Sequence, residues 1–141
     1  MPSEPADDQR RHHFARPDFD RARRKGVPEV ILADCKDHDD CLAIARRFLE
    51  AEGRAILSRV PDALEARLRA ELEGEVTLEW YPAARAAVLR RPGVTIPASG
   101  GRVGILSAGT SDIPRAEEAA LVCREMGCKV TTVYDVVVAG L

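Results

Sequence analysis

Apolar and polar positions recur with two different periods along the chain, and the switches between them mark the elements. The apolar run EVILA at 29–33 reads as a buried strand. In DHDDCLAIARRFLEAEG, 37–53, Cys41, Ile44, Ala45 and Phe48 fall on one helical face. That spacing predicts a helix with Asp37 as its N-cap candidate and Gly53 as its stop. AILS, 55–58, reads as a second strand. PDALEARLRAELEG, 61–74, sets Leu64, Leu68 and Leu72 on one stripe, with Pro61 near the start and Gly74 at the end. VTLEWY, 76–81, reads as a third strand. Strand, helix, strand, helix, strand in short alternation predicts a small parallel-type α/β unit.

The flanks behave differently. Residues 1–16 are polar without periodicity and read as a disordered tail, and DFDRARRKG, 18–26, reads as a short helix stopped by Gly26. RRPGVTIPASGG interrupts the alternation, so 91–101 reads as a linker. Beyond it come a strand from 102, a loop, a helix to Met126 stopped by Gly127, and a strand at 129–134. That is one βαβ unit. A single unit cannot bury both faces of a parallel sheet. The chain therefore reads as cut short at its C-terminal end, with Val133, Val136, Val137 and Val138 expected to be partly exposed. The expected fold class is α/β: a small three-stranded lobe over 17–90, then the first βαβ unit of a second, parallel sheet over 102–141.

Composition narrows the partners. Hydrophobic residues make up 45% and charged residues 31%, with a formal net charge of −2. Such a balance argues against nucleic acid or an acidic membrane surface as partner. No long apolar run or leader-like N-terminus is visible, which points to the cytoplasm. The four cysteines sit in patterned segments and read as free thiols. Cys35, His38 and Cys41 lie three apart but lack paired Cys-x-x-Cys knuckles, so no metal site is expected.

The loop after the strand at 102–107 carries the chemistry. Ala108, Gly109, Thr110, Ser111 and Asp112 separate an apolar run from a helical pattern. Two readings remain open on physics alone. Small residues here make a tight βα turn with a cap. They also make a cradle for phosphate or carboxylate: backbone N–H groups at a helix start, two hydroxyls, and a glycine admitting close approach. Ligands of open α/β sheets sit at the carboxyl ends of strands, where this loop lies. Arg59, at the end of a strand, has a guanidinium fork that matches phosphate oxygens, and is otherwise a solvated arginine. Tyr81 ends another strand and is either a packing aromatic or a site residue.

These residues carry a resemblance. VGILSAGTSDIPRAEEAALVCREMG followed by VTTVYDVVVAG resembles the start of the carboxylase domain of the LarB family, itself related to the PurE mutases of purine synthesis. Upstream, DFDRARRKGVPEVILADCK, ILSRV and WYPAAR resemble the family's N-terminal segments. The resemblance implies a flavodoxin-like, PurE-like second domain, of which only the opening is present. It implies an enzyme that carboxylates the pyridine ring of nicotinic acid adenine dinucleotide with CO2 or bicarbonate. The same enzyme hydrolyses the phosphoanhydride, releasing AMP and a biscarboxylated pyridinium mononucleotide. It further implies homo-oligomers and no tightly bound cofactor, with magnesium only as companion of the dinucleotide. Substrate binding falls on Ala108, Gly109, Thr110, Ser111 and Asp112, with Arg59 and Tyr81 beside them. Two departures stand out. No cysteine here aligns with the family's nucleophile, and Val137 stands in place of a glycine. A PurE-type purine enzyme and a non-catalytic nucleotide-binding remnant are the alternatives.

Overall fold

The computed structural model describes Asp18 and residues 26–136. The tail at 1–16, the helix expected over 18–26 (its two ends apart), Val137 and Val138 lie outside the described residues. Strand β1 (Ile31–Leu32) passes at once into a 3-10 turn at Ala33–Cys35. The strand expected over 29–33 is shorter than that, and its end at Leu32 coincides with the end of its partner β2 at Ser58. β2 (Arg54–Ser58) lies parallel to it, Ile31 opposite Leu57 and Leu32 opposite Ser58. Helix α1 (His38–Glu52) buries Cys41, Leu42, Ile44, Ala45, Phe48 and Leu49. Asp37 occupies its N-cap position without a side-chain capping bond, and left-handed Gly53 ends it, donating its N–H to Leu49 O at 3.1 Å. Helix α2 (Asp62–Glu71) buries Leu64 and Leu68, with Leu72 buried at its cap.

After α2 the parallel alternation stops. β3 (Thr77–Tyr81) and β4 (Ala86–Arg90) form an antiparallel hairpin, and β4 also runs antiparallel to β2. The order is β1-β2-β4-β3. The α/β class stands, but the three-stranded, parallel-type lobe is corrected to a mixed sheet of four. The extra strand, AAVLR, is central and buried on both faces, so it shows no alternation. Its alanines also carry little strand preference.

The β5–α3–β6 unit follows: β5 (Arg102–Leu106), a 3-10 turn at Thr110–Asp112, α3 (Ile113–Glu125) and β6 (Lys129–Val133). β5 and β6 pair in parallel. Among the described residues no strand pair joins the two sheets, but α3 touches both. One face of the four-stranded sheet packs on α1 and α2 through Ala55, Leu57, Ala87 and Leu89. The other face, Ile56, Ala86 and Val88, receives Leu121 of α3. β5 and β6 lie against α3 in turn. Leu106 and Val133, opposite each other on the two strands, are 70% and 46% exposed.

Polar clamps fix α3 to the sheet. Glu125, 4% exposed, receives Arg54 Nη1 at 3.0 Å and pairs with Arg90, which also reaches Glu79 at 2.5 Å. Arg54 donates as well to the Glu125 carbonyl at 2.8 Å. Nearer the start of α3, Ser58 donates to Glu118. Among the described residues no helix is long and apolar enough to cross a membrane.

Candidate functional site

Three chain reversals meet at one corner of the molecule. β2 ends at Ser58, and Arg59 turns the backbone with φ +55°. The β3–β4 hairpin closes through Arg85 at φ +48°. The two turns brace each other: Val60 N–H donates to Arg85 O at 2.8 Å, and Arg85 Nη2 to Val60 O at 3.0 Å. α3 begins beside them. Together they line a groove of about 540 Å³ that includes Asp34, Arg59, Arg85, Ser111 and Arg115. This is a size typical of small-molecule sites.

The loop supplies its polar groups unspent. Gly109 is extended, and Thr110–Asp112 form the 3-10 turn with Asp112 N–H donating to Gly109 O at 3.1 Å. Asp112 stands at the N-cap of α3 with helical angles and makes no side-chain cap bond. Ala108, Thr110, Ser111 and Asp112 are exposed, and no hydrogen bond among the described residues engages their side chains. Just before them, Ser107 Oγ is buried without a hydrogen-bond partner.

Around Arg59 the electrostatics are lopsided. Its Nη1 lies 3.4 Å from Asp34, while its Nε is buried with no hydrogen-bond partner. The Asp34 carboxyl is held below its ordinary range, chiefly because the Cys35 thiol donates to it at 3.3 Å, and further by the Arg59 charge. Asp34 is therefore ionised at neutral pH, and Arg59, Arg85 and Arg115 line the groove with it, each paired with one carboxylate: Asp34, Asp62 and Glu118. Guanidinium forks in such exposed pairs can exchange a carboxylate for the oxygens of an anion.

Arg59 and Ser111 thus meet in one groove. Ala108, Gly109, Thr110 and Asp112 are outside its lining, and so is Tyr81. Tyr81 packs against the Ile56, Val88 and Leu121 cluster and borders a second groove of about 520 Å³ with Arg90, Arg124 and Glu125. Its hydroxyl donates to Glu79 at 2.7 Å, and burial, then Glu79, push its pKa up to about 12. Sequence reasoning missed Asp34, Arg85 and Arg115. A left-handed arginine leaves no trace in a hydrophobic pattern. Arg115 had a legible signal: a cation in the first turn of a helix opposes the helix dipole. Cys35 is exposed and Cys41 buried, the latter with its thiol pKa raised by desolvation. Among the described residues no cluster of three or more His, Cys, Asp or Glu could hold a metal ion.

The chain is a mixed α/β domain, and the groove lies at the carboxyl end of β2, the end of a strand at which ligands of open α/β sheets bind. Residues 9–91, more than half of the chain, match the LarB/PurE-like N-terminal domain, and the chain belongs to that family. Membership relates it to carboxylase-type enzymes. An uncharacterized protein of Methanocaldococcus jannaschii is 33% identical over 126 residues, which is 88% of this chain and 49% of that protein. The chain thus spans about half the length of this relative.

Proposed function

We propose that this chain serves the LarB-type reaction by binding nicotinic acid adenine dinucleotide, whose pyridine ring is carboxylated with CO2 or bicarbonate and whose phosphoanhydride is hydrolysed to AMP and the biscarboxylated mononucleotide. One observation carries the reading: Arg59 and Ser111, far apart in sequence, line a single groove in a chain of this family. The phosphoribosyl group lies against loop 108–112. Ser111 donates its hydroxyl to a phosphate oxygen, Arg59 presents its guanidinium to the same charge, and Asp112 accepts from a ribose hydroxyl. Magnesium arrives with the dinucleotide. The chain's own residues bind and orient; a nucleophile has to come from elsewhere, since none of the four cysteines aligns with the family's thiol. An activated thiol also needs an electropositive setting, whereas burial raises the Cys41 pKa.

Titration calorimetry with nicotinic acid adenine dinucleotide and magnesium tests this. Binding is expected, and Ser111→Ala and Asp112→Ala should each weaken it by about 1–3 kcal/mol. Unchanged affinity in both variants rejects the reading. With bicarbonate added, mass spectrometry should find neither AMP nor biscarboxylated mononucleotide formed by this chain alone, and product would contradict the purely binding role.

A further inference from the structure

We infer that Arg59, Arg85 and Arg115 form a clamp for a diphosphate, so that the groove selects ligands with two linked phosphoryl groups over ligands with one. The inference rests on the reading of the groove as a ligand site and deepens it by naming the part of the ligand that the groove recognises.

The three guanidinium groups come from three separate elements: the end of β2, the β3–β4 turn and the first turn of α3. They converge on one groove whose lining holds a single carboxylate, Asp34. Two of the three sit where an arginine is costly. At φ +55° and +48°, Arg59 and Arg85 occupy the left-handed region, which penalises a Cβ by about 1–2 kcal/mol and favours glycine. Strain of this kind persists where the side chain has a use.

Apart from the bond that Arg85 Nη2 gives to Val60 O, the fold gains little from these side chains. Arg59 meets Asp34 at 3.4 Å, and both groups are about two-fifths exposed. Arg85 pairs with Asp62, which is 88% exposed. Arg115 reaches Glu118 at 3.3 Å, a carboxylate that already accepts from Ser58. Exposed pairs of this sort contribute about 0–1 kcal/mol. Arg59 Nε has no hydrogen-bond partner among the described residues. Arg115 adds a charge that the helix dipole repels. A ligand with two phosphoryl groups answers these features: it offers enough oxygens for three forks and an acceptor for Arg59 Nε, in exchange for ion pairs that are weak.

Calorimetry with inorganic pyrophosphate and with orthophosphate, at one ionic strength, reads the selectivity. Pyrophosphate should bind at least tenfold more tightly than orthophosphate. Arg59→Gly and Arg85→Gly should each lose at least tenfold in pyrophosphate affinity, and Arg59→Gly should melt at or above the parent temperature, because glycine relieves the left-handed backbone and the side chain makes only an exposed ion pair. Arg115→Ala should also weaken binding. Equal affinity for the two anions, no pyrophosphate binding, retained affinity in the glycine variants, or an Arg59→Gly variant that loses stability along with binding would each overturn the clamp. The two readings fail separately. Pyrophosphate binding without dinucleotide binding leaves the clamp and removes the proposed substrate. Dinucleotide binding that depends on Ser111 but ignores Arg59→Gly and Arg85→Gly leaves the substrate and removes the clamp.

Discussion

Gly109 stands at φ −142° and ψ 159°, a conformation open to any residue, and a Cβ there would meet only Ser111 Oγ, at 3.8 Å. The fold has no need of a glycine at this point, so the close approach of a ligand is left as its use. Gly109→Ala should therefore keep or slightly raise stability, by about 0.4–1 kcal/mol through the unfolded chain, while weakening the dinucleotide. Parent-like affinity in this variant would count against the loop. Tyr81 makes a different prediction. Burial and the Glu79 contact favour its neutral form and lift its pKa from 10 to about 12. The stability this gives is whole below pH 10 and is lost as pH rises toward 12. Melting curves across that window should fall less steeply for Tyr81→Phe than for the parent, and equal slopes would contradict the assignment. The residues of the loop were legible as small, polar and helix-initiating. Their partners were not, because Arg59 and Arg85 owe their place to backbone turns that no periodicity encodes.

Amphipathic helices were the most legible elements. α1 and α2 show their buried stripes at helical spacing, since each covers a single face of the sheet. β4 was not legible, as it is buried on both sides and rich in alanine. Nor was the position of α3 readable: its small apolar stripe gives no hint that Leu121 closes the far face of the first sheet. This helix is where packing predictions fall. Leu121→Ala should cost about 2–5 kcal/mol in urea unfolding. Glu125→Ala removes the carboxylate shared by Arg54 and Arg90, leaving mostly buried Arg54 without a carboxylate and Arg90 with Glu79 alone, and should cost about 3–5 kcal/mol. Stability unchanged in both variants would mean that α3 does not hold the two sheets together. Gly127 follows the end of this helix at φ +79°, and a Cβ there would collide with Pro97 O. Gly127→Ala should therefore be destabilising through both strain and collision, again read from the urea midpoint.

At the scale of the whole molecule, α3 ties recognition to architecture. The helix that seals the four-stranded sheet also carries Arg115, and the loop that starts it carries Ser111, so the groove forms only when the β5–β6 unit docks on the sheet. On the proposed reading, the family's N-terminal segment has a physical part in binding, since it brings Arg59 and Arg85 to the groove that Ser111 also lines. The expected outcome of any change that loosens α3 is thus a loss of binding together with stability. The most direct measurement is a crystal structure of the chain grown with nicotinic acid adenine dinucleotide. The account predicts density for the diphosphate between Arg59, Arg85 and Arg115, with the ribose beside Ser111 and Asp112. Density in the groove bordered by Tyr81 and Arg124 instead, or a groove without ligand at saturating dinucleotide, would contradict it.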